Sequence, residues 1–286
     1  MKADYAKGML VMAASSLLFS AMSFLVPLAR PASTAVVTTA RFVTGIAIIA
    51  GFAVSGLTRL SPKNWLWLIV RGLIGAASVF LFFRGITTLG LGRGTVLNYT
   101  YPIFAALFAP LLLREKLHGD VLAAIGVSFV GIFLVLNPGN ILAIGVEGLL
   151  SLLGGAMSGV AVVAIKKLRE TDSPSMIYLA QCVFGLFVVG YPTATSSFAF
   201  AQSTWLILLA IGVLATVAQL LMTWAYKHVP ATEGSLLAFL VPVLNVLLGV
   251  AVFAETMRPA TIAGTLLVFV SCAYVAFREK ILRLAR

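Results

Sequence analysis

The sequence predicts an all-α integral membrane protein whose ten transmembrane helices form an inverted five-plus-five repeat. Three observations predict it: an apolar composition, apolar runs of membrane-spanning length, and basic residues gathered on alternate sides of those runs. Of 286 residues, 61% are hydrophobic and 10% are charged, against about 25% charged in an ordinary soluble domain. Mean hydropathy is +1.08. A water-soluble fold with so few charges could not cover its outside, so lipid is the solvent for most of the surface. In a soluble chain the net charge of +11 would point to nucleic acid. Here the basic residues fall between apolar runs, topology accounts for them, and no nucleic-acid partner is expected.

A helix needs about 20 apolar residues to cross a bilayer. Such runs cover residues 8–28, 33–54, 65–89, 94–113 and 119–136, then 146–166, 174–191, 204–226, 231–253 and 259–277. Short connections rich in Pro, Gly, Ser or charge join them, as at Arg30-Pro31, Asn137-Pro138-Gly139-Asn140 and Val229-Pro230. Lys2 and Lys7 precede the first run, which has no convincing cleavage site and reads as an uncleaved anchor. Trp65, Trp67 and Trp205 stand at run boundaries as interfacial anchors.

Orientation follows from the positive charges. If every run crosses and the N-terminus is cytoplasmic, the cytoplasmic segments hold fourteen of the 20 Lys and Arg residues. Only Arg30, Arg93 and Arg258 face the other side, and Arg41, Arg71 and Arg84 lie inside runs. Both termini are therefore expected in the cytoplasm, with a bacterial inner membrane as the location.

The chain carries one pattern twice. Ser16-Leu17-Leu18-Phe19-Ser20-Ala21-Met22-Ser23 matches Ser151-Leu152-Leu153-Gly154-Gly155-Ala156-Met157-Ser158 at six of eight positions. Further on, Pro102 and Glu115 recur as Pro242 and Glu255, and Trp65, Gly72 and Gly94 as Trp205, Gly212 and Gly234. Five spans is an odd number, so the second copy enters the membrane from the opposite side, as in many secondary transporters. The expected halves are residues 1–140 and 141–286.

These ten spans resemble the EamA-type members of the drug/metabolite transporter superfamily. So do Arg41-Phe42 in the second span, and Tyr101-Pro102-Ile103-Phe104 followed by Leu113-Arg114-Glu115-Lys116 in the fourth. The second copy departs from the pattern, with Phe253-Ala254-Glu255-Thr256 lacking the basic neighbours. The resemblance implies a small-metabolite carrier whose cavity is walled by spans one to four and six to nine, with spans five and ten peripheral. It implies no particular substrate.

Polar groups inside apolar helices are costly unless they face a cavity or a neighbouring helix. Candidate substrate-binding residues are Ser20, Arg41, Asn98, Tyr99, Tyr101, Ser158, Tyr178, Gln181, Gln219 and Asn245. For Ser residues helix packing is the stronger reading; the four amides demand partners and fit a cavity as well. Arg41 lies about eight residues inside the membrane, where an Arg costs roughly 2.5–3.5 kcal/mol, and all nine acids fall at span ends or in loops. It reads either as a structural Arg bonded to helix-end carbonyls or as a fixed charge that attracts a carboxylate or phosphate. Arg71 and Arg84, nearer span ends, are expected to snorkel. Tyr99 and Tyr101 flank Pro102, where a phenol binds ligand or satisfies a freed carbonyl. Pro102 and Pro242, at equivalent places in two spans, read as paired gating hinges or as fixed kinks.

Catalytic readings find no support. The two histidines, His118 and His228, are far apart, Cys182 and Cys272 sit in apolar runs, and no phosphate-binding loop or metal-ligand spacing occurs. No catalytic residue, metal or cofactor is expected. The expected function is a secondary carrier that moves a small organic solute by alternating access. A cavity with Arg41 and no buried acid favours an anionic or zwitterionic substrate, such as an amino acid or another carboxylate. The expected partners are that substrate and membrane lipid, and nothing in the sequence indicates an oligomeric state. Glu233, in the first turn of its span, is explained by the positive helix N-terminus, so a facilitator or exchanger is expected rather than an obligatory proton symporter. The alternative is a non-transporting membrane subunit or lipid-handling protein.

Overall fold

A computed structural model of the chain describes residues 2–113, 119–136, 145–228, 238 and 240–284. Glu115, Glu233, Gly234 and the basic neighbours of Glu115 lie outside them. The described residues are helical, without strands. The first half contributes α1 (Lys2–Leu28), α2 (Thr34–Val54), α3 (Trp65–Leu89), α4 (Leu91–Asn98), α5 (Tyr101–Leu113) and α6 (Gly119–Leu136). The second contributes α7 (Val146–Leu168), α8 (Pro174–Ala194), α9 (Gln202–Ala225), α10 (Leu240–Phe253) and α11 (Pro259–Leu284). Six of these, α1 to α3 and α7 to α9, are long and apolar enough to cross a membrane. Large apolar side chains such as Leu10, Phe187, Leu206 and Val270 stand exposed around the bundle. Such a surface suits lipid contact, and the chain is an integral membrane protein.

Local chemistry sets the helix starts. Ser33 and Ser173 sit in extended backbone and accept from the amides of Val36 and Met176, capping α2 and α8. Asn64 caps α3 through the amide of Trp67. One expectation is corrected. The single helix expected over residues 94–113 is two, α4 and α5, separated at Tyr99 and Thr100. Pro102 is consequently not in mid-helix: it occupies the first turn of α5, where a missing N–H leaves no intrahelical bond unmade.

Contacts at the helix ends fix the direction of each helix. Where α1 begins (the near end), the backbone N–H of Lys63 donates to Asp172 at 2.9 Å and the Tyr274 hydroxyl donates to Asp120 at 3.0 Å. At the far end Ser33 and Ser196 share a 2.8 Å hydrogen bond, and Arg84 pairs with Glu147 through two bonds of 2.8 and 2.6 Å. Also at the far end, the Glu255 carboxylate accepts from the amides of Leu91 and Gly92. It thus closes the positive N-terminus of α4. That carboxylate lies where a Cβ on Gly90 would meet it at 2.6 Å, and Gly90 turns the chain from α3 into α4 with φ +96°. Arg84, expected to snorkel, is partly exposed at this end and also joins α3 to α7 across the two halves.

The halves interlock. α3 lies along α7 and α9 along α1, while α2 meets α9 and α3 meets α8. Exchanging the halves maps each of these contacts onto the other of its pair. Three further contacts, α2 with α8, α4 with α10 and α6 with α11, map onto themselves. At the last of these a Cβ on Gly264 would lie 2.5 Å from the Gly131 carbonyl oxygen, and one on Gly131 would lie 2.8 Å from that of Gly264. This backbone-to-backbone approach cannot yield as a flexible side chain would. Gly264→Val should lower stability by about 1–3 kcal/mol, read as a lower Tm of the detergent-purified protein. Gly51→Ala, where a Cβ meets nothing within 4 Å, should leave Tm unchanged or raise it. Equal losses in the two variants would contradict the packing assignment.

Candidate functional site

A cavity of about 120 Å³ lies inside the bundle, between its middle and the near end. Its walls come from α1 to α5 and α7 to α9, with Ala238 and Val241 from the region of α10; α6 and α11 stay outside. The far end is plugged by buried apolar side chains, among them Val26, Val37, Phe83, Ile86, Leu208 and Ile211. Met12, Met22 and Met222 line the cavity and give it adaptable apolar walls.

Of the candidates, Arg41, Asn98, Tyr99, Tyr101, Ser158, Gln181 and Gln219 line this cavity. Arg41 is 3% exposed. Its Nη1 donates to the Met22 sulfur at 3.7 Å, and the guanidinium lies 5.7 Å from the centre of the Phe83 ring. A thioether is a weak acceptor, and a cation–π contact supplies about 0.5–2 kcal/mol. Its Nε has no partner among the described residues. No Asp or Glu is among the described residues of the lining. Among the described residues no helix-end carbonyl accepts from it.

The other lining groups are arranged around the break in the fourth span. Asn98 closes α4 and its Nδ2 also lacks an acceptor among the described residues. Tyr99 stacks edge-on against both Tyr101 and Phe82, with ring centres 5.6 and 6.2 Å away. Ser158 of α7 and Ser78 of α3 join their hydroxyls across the halves. Gln219 donates to Thr223 one turn along α9 at 3.3 Å.

Three candidates lie outside the lining. Ser20 donates to Asn245 Oδ1 at 2.7 Å, and Asn245 Nδ2 donates to Thr95 at 3.0 Å. This buried relay ties α1, α10 and α4 together. Tyr178 is 1% exposed, shares a 3.2 Å hydrogen bond with Thr216, and packs in one cluster with Cys182 and Phe42. The gating candidates Pro102 and Pro242 are both buried, the first in the turn described above and the second early in α10.

Arg71 was expected to snorkel and does not. It is 4% exposed, lines the cavity, and donates through Nη2 to Gln181 Oε1 at 2.8 Å. Gln181 Nε2 in turn donates to the Gly75 carbonyl at 3.0 Å. A helical side chain ordinarily leans toward its helix N-terminus, which for α3 is the near end. The Arg71 guanidinium instead lies one turn deeper, where a Cβ on Gly75 would be 1.8 Å from Nη1. The sequence signal was a glycine one turn beyond an arginine, opposite a buried glutamine.

Comparison with known proteins agrees with this architecture. Residues 6–137 and 146–277 each match the model of the EamA-like transporter family. The pseudopaline exporter CntI of Pseudomonas aeruginosa is 28% identical over 226 residues, covering 77% of this chain and 78% of the exporter. The riboflavin transporter of Rhizobium johnstonii is 28% identical over 182 residues, covering 63% of this chain and 60% of the transporter. A solved crystal structure superposes with a TM-score of 0.68 at 20% identity, covering 96% of this chain and 98% of that one; that likeness concerns the fold alone.

The relay through Asn245 generates a prediction about stability. Asn245→Leu strands the Ser20 hydroxyl in apolar surroundings, while the Thr95 hydroxyl keeps its bond to the Leu91 carbonyl; the cost is about 1–3 kcal/mol for a buried polar group left unsatisfied. The expected result is a lowered Tm that is not made worse by adding Ser20→Ala. Fully additive losses would show that the two side chains act independently.

Proposed function

This chain belongs to the EamA-like transporter family, and we propose that it is a secondary carrier for a small organic anion or zwitterion, such as an amino acid or another carboxylate. The observation that carries the reading is Arg41: a buried guanidinium in a cavity between two repeats, with no carboxylate in the described lining. An anion entering the cavity gains the Coulomb and hydrogen-bond energy that the protein's own groups leave unused. Supporting it, CntI and the riboflavin transporter are named for moving organic solutes.

The proposed mechanism is alternating access. Ten crossings, with α4 and α5 together making one, form two halves, residues 1–140 and 141–286, of opposite orientation. By the charge asymmetry the near end is cytoplasmic, so the described arrangement is closed outward and its cavity lies toward the cytoplasm, in a bacterial inner membrane. Moving to the other state requires releasing the far-end bonds, Arg84 to Glu147 and Glu255 to α4. The Tyr99–Thr100 break beside Pro102 and the Pro242 turn in α10 are the proposed hinges. No carboxylate lines the described cavity to carry a proton, which favours facilitated or exchange transport.

In proteoliposomes, Arg41→Ala should reduce carboxylate or amino-acid counterflow at least tenfold while the protein still inserts and elutes as a folded species. An imposed pH gradient should not drive accumulation. Organic cations outcompeting every anion and zwitterion, or full activity in Arg41→Ala, would defeat the proposal.

A further inference from the structure

The second arginine narrows the substrate class. We infer that Arg41 and Arg71 form one two-point anion site, and that the solute it accepts carries two separated carboxylates; this rests on the carrier reading above. Among the described residues, the lining side chains that hold a buried nitrogen without a partner are Arg41 and Arg71, each at Nε, and Asn98 at Nδ2. All are donors, and each belongs to a residue no more than 5% exposed. A surplus of donors is matched by a ligand that is almost all acceptor, which an ionised dicarboxylate is.

Geometry distinguishes two acidic groups from one. The Arg71 guanidinium lies at the level of Gly75, and Arg41 lies against Phe83 on the same helix. Gly75 and Phe83 are about two turns of α3 apart, so the two guanidiniums stand beside different turns of that helix, each with its own neighbours. A guanidinium at each of two depths is matched by a ligand with an acidic group at each end. A short dicarboxylate of about four to six carbons reaches from one to the other with a charge-assisted bond at each end. Gln181 holds Arg71 in the cavity through Nη2 and is itself anchored to the Gly75 carbonyl. Gly75 supplies the space, because any larger residue would displace the guanidinium. A monoanion would leave one of two like charges without a counter-charge in a chamber with largely apolar walls, where such a charge is costly.

The test is ligand-induced thermal stabilisation of the full chain in lipid nanodiscs, titrated with succinate, glutarate, adipate, butyrate, inorganic phosphate and choline. At least one dicarboxylate should bind tenfold or more tightly than butyrate and phosphate. Arg71→Gln should bring the dicarboxylate-to-butyrate ratio close to one. Arg71→Lys should retain part of the ratio, and Gly75→Ala should lower it without removing a charge. Size exclusion and the ligand-free Tm of each variant verify folding. Succinate and butyrate binding alike, both abolished by Arg41→Gln and indifferent to Arg71→Gln, would reject the two-point site and keep the anion-carrier reading. Preference for phosphate, or no response to any dicarboxylate, would also reject the site. Choline binding in place of every acid would reject both.

Discussion

A guanidinium in the middle of an apolar bundle must be solvated by something, and much of this molecule is arranged around that requirement. Arg41 enters the membrane from the far end of α2 and stops between a methionine sulfur and an aromatic face. Neither replaces water: an Arg has five N–H donors, and insertion at a helix centre costs roughly 2.5–3.5 kcal/mol. Structural arginines in such places meet carboxylates or backbone carbonyls. The described surroundings of Arg41 offer a cavity instead.

The cavity exists because of how the halves meet. The pairs α3 with α7 and α9 with α1 are related by exchange of the repeats, as are α2 with α9 and α3 with α8. Among these pairs lies the cavity, lined from both halves. Its far end is closed by apolar side chains and by two carboxylates. Glu147 bonds a guanidinium, and Glu255 bonds the free amides at the start of α4. These far-end bonds are charge-assisted but few, and the groups at Arg84 and Glu147 are partly exposed, where each pair contributes little on its own. The α6–α11 pair, locked through Gly131 and Gly264, stays outside the cavity lining.

Most of the architecture was legible in the sequence because lipid imposes a length and a polarity on each helix. The apolar runs 33–54 and 174–191 match α2 and α8 to within a few residues, and the repeat follows from the shared Ser-Leu-Leu and Pro motifs. What hydropathy could not register was the break at Tyr99–Thr100, since a broken and a continuous crossing share one composition. At the site, the lining positions of Arg41, Asn98, Gln181 and Gln219 followed from the cost of burying their groups. Ser20 and Asn245 carry the same polar signature, yet they satisfy each other across α1 and α10. Sequence gives the need for a partner but not its identity. Arg71 was misplaced because snorkelling is the ordinary outcome near a helix end; only the vacancy of Gly75 and the reach of Gln181 from α8 turn it inward.

The central claim is that the charge at Arg41 awaits an anion from outside the protein. The most direct measurement is an anomalous-scattering experiment on crystals of the chain soaked in bromide. A bromide peak beside the Arg41 guanidinium, absent from Arg41→Gln crystals, is the expected result. A cavity without bromide, with a carboxylate of the protein bonded to Arg41 instead, would contradict it.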